Sequence, residues 1–125
     1  MKVVRHSDVE FIETPNGNTS GGIATPKWEA TEVNVIRQRE LAGGKNPPHR
    51  HNREEVMVLL AGEVTVAVGD ETQTLMAGDA VIVPANTVHH IANTGRETAE
   101  WLIISSGGRT FILPNGEEVI PPWSL

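Results

Sequence analysis

Residues 43–62 read GGKNPPHRHNREEVMVLLAG and combine glycine and proline turns with two histidines and an apolar run. His49 and His51 are separated by one residue, and the acidic pair Glu54–Glu55 leads into the apolar run. A second histidine pair, His89–His90, follows over thirty residues later. Imidazole and carboxylate groups together are common ligands of first-row transition metals. The clustering therefore predicts a metal site.

The sequence on both sides of this stretch predicts an all-β fold. From Thr31 onward, short β-branched segments alternate with turn residues at intervals of about eight, the spacing typical of a β-sandwich or barrel. No segment of helix length keeps a helical apolar period without glycine or proline. The predicted strands are Thr31–Leu41, Glu55–Leu60, Val64–Val68, Thr72–Leu75, Ala80–Val83, Val88–Ala92 and Glu97–Ser105.

Side-chain alternation along these strands places the candidate ligands among apolar neighbours. Glu55 shares its face with Met57 and Leu59. His89 shares its face with Ile91, whereas His90 has the opposite parity and should point away. A single histidine at such a position is explained more simply as a buried polar group of the core. The metal site therefore depends on convergence of several residues.

The spacing of the first group sets conditions for that convergence. His49 and His51 face the same way on a strand, about 7 Å apart, so both imidazoles can reach one ion. An extended chain would carry Glu55 about 13 Å beyond His51, too far to share the ion. The polar segment between them must therefore turn. His89 can reach the same point only from a different strand.

The composition indicates which classes of partner and which cellular compartment to expect. The 125 residues fit one domain. Ten Lys and Arg against 16 Asp and Glu give a net charge of -6, which argues against a nucleic-acid partner because no basic block can neutralise phosphates. The absence of cysteine excludes disulfides and thiolate metal ligands. No signal peptide or membrane-length apolar run is recognisable, so we expect a cytoplasmic protein without membrane contact.

Three segments are expected along the chain. Residues 1–30 form an N-terminal strand and loop segment that packs on a barrel, and 31–109 form the barrel core. Residues 110–125 are too apolar for a solvated tail, so they are expected to dock on a sheet or on a partner subunit. Within the first segment, Asn16–Gly22 is rich in glycine and small polar residues and is predicted to be a flexible loop.

Two fixed-spacing motifs resemble those of the cupin superfamily, in particular its small single-domain members. The first motif is matched throughout by Gly43, His49, His51, Glu55 and Gly62. The second is matched by Gly78, Pro84, His89 and Asn93, with Asn86 where the family usually has glycine. Asn is the non-glycine residue that best tolerates a positive φ, so the turn should survive.

The resemblance implies a single-domain jelly-roll barrel, a double-stranded β-helix. It also implies one divalent transition metal ion per chain, Fe, Mn, Ni, Cu or Zn, held by His49, His51, Glu55 and His89. A homodimer is expected from the resemblance and from the apolar terminal segments. The implied partner is a small-molecule substrate.

Function is expected to follow from the metal. Three imidazoles and one carboxylate leave open positions on an octahedral ion, which suits dioxygenase-like chemistry on an enolate, flavonol or diketone. Non-redox sugar or uronate isomerase, epimerase or lyase chemistry is the first alternative, and a non-catalytic ligand-binding or sensing module is the second. In either chemistry, Glu55 could act as the general base if it left the metal.

An apolar substrate pocket is expected beside the metal, lined by Met57, Leu59, Ile91 and Trp101. Arg37 and Arg39 share a face of the strand before the first motif. If that face points inward, one of the two could bind a substrate carboxylate. Equally, they could lie on the outer face.

Overall fold

Short antiparallel strands form almost all of the regular structure in this computed structural model, which describes the whole chain, Met1–Leu125. Three 3-10 helices, at His6–Asp8, Pro26–Trp28 and Pro122–Ser124, complete it. None of these helices has the length and apolarity that crossing a membrane would require. The strands are β1 Ile12–Glu13, β2 Asn18–Ala24, β3 Val33–Glu40, β4 Arg50–His51, β5 Glu55–Ala61, β6 Glu63–Val68, β7 Glu71–Met76, β8 Ala80–Val83, β9 His89–Ala92, β10 Ala99–Ser106, β11 Phe111–Ile112 and β12 Glu118–Val119.

The strands form three sheets. The large sheet has the order β1-β2-β3-β10-β5-β8, and the small sheet has the order β7-β6-β9. A third sheet, β12-β11-β4, joins the C-terminal segment to the first histidine pair. Many neighbours in these sheets are far apart in sequence, as in the pairing of β3 with β10. Such crossovers bring distant motif residues to one place.

The apolar core lies between the large and the small sheet. Alternation is clear in β10, where every second residue from Ala99 to Ser105 is buried. Trp101 is fully buried and donates its indole N–H to Gln38 Oε1 at 2.9 Å, so its polar atom is satisfied. The ten core residues are Ile36, Met57, Leu59, Val64, Val66, Leu75, Ile91, Ala99, Trp101 and Ile103.

The region predicted as a flexible loop is a strand. Asn18–Ala24 forms β2, which pairs with β3, so the prediction for Asn16–Gly22 was wrong for most of that segment. Its glycines serve close packing instead of flexibility. A Cβ on Gly21 would lie 2.8 Å from the Phe11 ring, and one on Gly22 would collide with the carbonyl oxygen of Trp123.

Two motif positions adopt the backbone conformations that the motifs require. Asn86 has φ 61°, so the expected positive φ at this departure from glycine is confirmed. Gly62 has φ 84°, and a Cβ there would lie 2.9 Å from Ala99 Cα. Gly62 is therefore needed for both its conformation and its close contact with β10. The β5–β6 turn thus packs against the first residue of β10, the strand that pairs with β5.

Candidate metal centre

Backbone pairing brings the histidines of the two motifs together. His49 and His89 form an isolated antiparallel bridge, in which each N–H donates to the other's carbonyl oxygen at 3.0 and 2.8 Å. His51 lies two residues further along, on β4. Glu55 begins β5, after the turn that its spacing demanded. All four side chains belong to buried residues that are at most 4% exposed.

The three rings are oriented by the same kind of contact. Nδ1 of His49 is 2.6 Å from Pro47 O, Nδ1 of His51 is 3.0 Å from Thr110 O, and Nδ1 of His89 is 2.9 Å from Thr87 O. A carbonyl only accepts, so each Nδ1 carries the proton and donates it. Each Nε2 then has a free lone pair. This is the tautomer and outer contact typical of metal-binding histidine.

The donor atoms fit a metal ion. One ring nitrogen from each histidine lies within 4.8 Å of those of the other two, close enough for a shared ion. Nε2 of His89 is buried and has no hydrogen-bond partner. Nε2 of His51 lies 2.9 Å from Glu55 Oε2, so two acceptors face each other unless a cation, either a ring proton or a metal, lies between them. The three histidines could therefore bind a metal.

Glu55 lies beside the histidines and is also paired with an arginine. Its Oε1 is 3.8 Å from His89 Nε2, and its Oε2 accepts a hydrogen bond from Arg109 Nη1 at 2.9 Å. Burial alone would raise the pKa of Glu55, but the hydrogen bond from His51 and the charges of His51 and Arg109 lower it to about 2. Glu55 is therefore a carboxylate at neutral pH.

The histidines are also held in the form that binds metal. Burial, with a smaller contribution from the neighbouring His89, lowers the pKa of His49 to about 3. Burial likewise lowers the pKa of His89. A charged imidazolium is costly in this site because water cannot solvate it. Neutral rings with free lone pairs are the ligands that a divalent ion needs.

A cavity of about 310 Å³ opens onto this group, and much of its wall comes from the C-terminal segment. Phe111 lies flat against His49, with ring centroids 4.0 Å apart and planes 15° apart. Arg109 projects into the same space and is only 7% exposed at its side chain. The other apolar side chains that line the cavity are Pro47, Ile91, Ile103, Val119, Pro121, Pro122 and Trp123.

The structure brings one of the four predicted apolar pocket residues to the cavity. Of the four, Ile91 lines the cavity, whereas Met57, Leu59 and Trp101 are fully buried in the core beneath it. Their side chains point into the barrel, as the alternation predicts. Other side chains fill the barrel at that depth, so the cavity does not extend to them. Ile91 differs because it lies in β9, two residues from His89.

Arg37 and Arg39 do not reach the cavity. Both pair with Glu100 of the neighbouring strand β10, and β3 buries the alternate residues Asn34, Ile36 and Glu40 instead. Their face is therefore the outer one, the alternative that the sequence left open. His90 is half-buried on the side of β9 opposite His89, and Glu54 is exposed.

Sequence reasoning missed two residues whose side chains contact the ligands, Arg109 and Phe111. Arg109 lies in the loop after β10, and Phe111 begins β11. Asn52, in the turn after His51, fixes this loop. Asn52 Oδ1 accepts from the Thr110 N–H at 2.7 Å, and Asn52 Nδ2 donates to Gly108 O at 3.1 Å. An Arg-Thr-Phe segment after a strand carries no local signal for such a role.

Comparison with known families identifies the family to which the chain belongs. The family model described as "Cupin domain" matches residues 37–105, more than half of the chain. The chain belongs to the cupin family. The jelly-roll fold expected from the two motifs is thereby confirmed.

Known cupins resemble the chain in sequence and in structure. Wheat oxalate oxidase GF-3.8 is 28% identical over 102 residues, which cover 72% of this chain and 46% of that protein. The chain thus spans about half the length of the curated relatives it matches. The polyketide cyclase RemF from Streptomyces resistomycificus superposes with a TM-score of 0.77 at 21% identity, covering 99% of this chain and 89% of RemF.

A cupin-2 domain from Rhodospirillum rubrum superposes with a TM-score of 0.79 at 17% identity, covering 88% of this chain and 78% of that one. At these identities the structural likenesses establish a shared fold.

Proposed function

We propose that this cupin is a metal-dependent oxidoreductase of the dioxygenase type that acts on a small organic anion. The observation that supports this most strongly is the joint placement of three histidine Nε2 atoms, the Glu55 carboxylate and the Arg109 guanidinium at one cavity. The similarity to oxalate oxidases, named for oxidation of a small dicarboxylate, supports the substrate class and the redox chemistry.

The charges of the site favour an anion. Imidazoles bind a metal as neutral ligands, and the charges of Glu55 and Arg109 cancel, so a divalent ion would leave an uncompensated positive charge in the cavity. His49, His51 and His89, with Glu55 as the fourth ligand, would hold the ion. When bound, a redox-active ion supplies Lewis acidity and reaction with dioxygen.

Arg109 is the residue best placed to orient the substrate. A guanidinium has five N–H donors, and the one hydrogen bond that Arg109 makes goes to Glu55. Its other donors are available to the cavity that it lines. A carboxylate held there would form charge-assisted hydrogen bonds and lie beside the metal ligands. Phe111, Ile91 and Ile103 would exclude water from the other sides.

Glu55 is the candidate proton acceptor in this scheme. Its carboxylate is ionised at neutral pH and lies within hydrogen-bond distance of both His51 and Arg109. Once Glu55 has left the metal, Arg109 can retain the carboxylate in place while a bound substrate loses a proton to it. The protonated acid would then be stabilised poorly beside Arg109, which favours return of the proton to product.

A second candidate is non-redox chemistry, such as isomerisation, cyclisation or lyase chemistry, with the ion as a Lewis acid. The observation that favours it is the structural likeness to RemF, a polyketide cyclase. The superposition covers nearly the full length of both proteins. The apolar wall from Phe111 to Trp123 also suits a flat organic substrate.

Oxygen uptake distinguishes these candidates. Protein purified without added metal is analysed for its metals, then stripped and reloaded with Fe, Mn, Ni, Cu or Zn. Each form is given oxalate and a panel of small mono- and dicarboxylates, with and without dioxygen. Oxygen uptake with a redox-active ion that is lost in His49→Ala is expected.

Turnover with zinc in the absence of oxygen would instead establish the second candidate. Tight binding of a carboxylate with no turnover under any condition would overturn both and favour a ligand-binding cupin.

A further inference from the structure

A second buried carboxyl group, Glu40, lies outside the metal centre. Glu40 is fully buried at the end of β3, and neither of its carboxyl oxygens has a hydrogen-bond partner. The loop after β3 covers it, because a Cβ on Gly44 would lie 2.8 Å from Glu40 Cγ. An ionised carboxylate without donors or water is very costly in such a place.

Asn18 lies directly across from Glu40 and also has a side-chain atom without a hydrogen-bond partner. The two residues are register partners on β2 and β3, so their side chains share the inward face. Asn18 Nδ2 donates to Lys45 O at 2.9 Å, which fixes the orientation of the amide. Its Oδ1 is then an acceptor that is buried with no donor.

One proton shared between the Glu40 carboxyl group and Asn18 Oδ1 would give both buried groups a hydrogen-bond partner. We infer that Glu40 is a neutral carboxylic acid whose O–H donates to Asn18 Oδ1, and that this hydrogen bond positions Asn18 in the wall of the substrate cavity. One proton on Glu40 gives Asn18 Oδ1 its donor and removes the buried charge. Asn18 lines the cavity, whereas Glu40 lies behind it. Glu40 is therefore a positioning residue.

The surroundings support the neutral acid. Burial raises the pKa of Glu40 to about 7, and the nearby Asn93 backbone N–H offsets only part of the rise. That N–H already donates to Gly44 O at 2.9 Å. No other ionisable side chain is buried around Glu40. Lys45 and Glu97 are exposed, and Arg39 and Glu100 lie on the outer face.

Carbon-13 NMR of the glutamate carboxyls in zinc-loaded protein tests the inference directly. The Glu40 signal, assigned by its loss in Glu40→Gln, should titrate near pH 7 instead of near the ordinary 4.5. The Asn18 side-chain amide signals should shift with the same midpoint and stay constant in Glu40→Gln. A Glu40 midpoint near 4.5, or Asn18 signals that ignore the Glu40 titration, would overturn the inference.

Stability provides a second readout, with Glu40→Gln as the conservative variant. Gln is neutral and can donate to Asn18 Oδ1, so it should rescue the hydrogen bond, whereas Glu40→Ala should not. Because the pKa of Glu40 is higher in the folded than in the unfolded state, the wild type should lose stability as pH rises between these values. Gln does not ionise, so the stability of Glu40→Gln should not show this pH-dependent loss.

From pH 5.5 to 8.5 the unfolding equilibrium constant of the wild type should rise about 30-fold relative to Glu40→Gln. Titrations common to both proteins cancel in that ratio. Parallel stability profiles of the two proteins would contradict the inference.

Discussion

At the level of single residues, the partner of each ring nitrogen distinguishes ligands from bystanders. His49, His51 and His89 each commit Nδ1 to a backbone carbonyl and turn Nε2 toward the others. His90 is adjacent in sequence but lies on the opposite side of β9. This assignment was accessible from the sequence, because parity along a strand depends only on local geometry.

The pair His89→Ala and His90→Ala tests the assignment. Removal of His89 takes away one of three converging nitrogens, so metal affinity should fall more than the 10–100-fold typical of losing an outer-shell contact. His90→Ala should bind metal like the wild type. Metal stoichiometry by elemental analysis and affinity by competition with a chelator measure both. Equal affinities of the two variants would contradict the assignment.

Arg109 is a residue-level prediction about substrate rather than metal. Loss of a charge-assisted hydrogen bond costs about 1.5–3 kcal/mol, so Arg109→Met should lower kcat/KM for an anionic substrate about 10–150-fold. Arg37→Met is the matched control, since Arg37 pairs with Glu100 on the outer face. Its kcat/KM should stay close to that of the wild type. Undiminished activity of Arg109→Met would exclude Arg109 as the substrate anchor.

At the level of elements, the C-terminal segment completes the site. β11 pairs with β4, so Phe111 lies opposite His51 in register and stacks on His49. The 3-10 helix Pro122–Ser124 packs against β2 and β3, and Trp123 closes one side of the cavity. The contact with β2 requires Gly22, because any side chain there would meet the Trp123 backbone.

Gly22→Ala should loosen this element. Forcing a methyl group against the backbone typically costs about 1–3 kcal/mol, and residues 119–125 should exchange amide hydrogens faster. Gly107→Ala is the control, because its added Cβ would have no neighbour closer than 3.6 Å. Hydrogen exchange by mass spectrometry and urea unfolding measure both variants. Unchanged exchange at the C-terminus in Gly22→Ala would refute the role of this contact.

At the scale of the whole molecule, metal binding should stabilise the fold. The ligands come from β4, β5, β9 and the residue before β4, so an ion would cross-link elements of different sheets. Binding to the folded state alone adds about 2.7 kcal/mol when free metal is 100 times its dissociation constant. The urea midpoint should rise accordingly on loading.

A chelator should reverse this effect, and His49→Ala should show none of it. A stability that does not respond to any of the five candidate metals would contradict a metal site formed only in the folded state.

The sequence by itself determined the all-β class, the two motifs and the inward parity of His49, His51, Glu55 and His89. These features depend on local alternation and on fixed spacing, which are independent of distant parts of the chain. It also predicted the seven strands β3 and β5 to β10. It missed β2, whose small residues carry no apolar pattern, and the two-residue strands β4, β11 and β12.

Only the tertiary structure decided what surrounds the ligands. It placed Arg109 and Phe111 at the site, turned Arg37 and Arg39 outward, and buried Glu40 opposite Asn18. Each of these outcomes depends on pairing between strands that are distant in sequence, such as β4 with β11. Register between distant strands is set by packing of the whole barrel, so no local pattern encodes it.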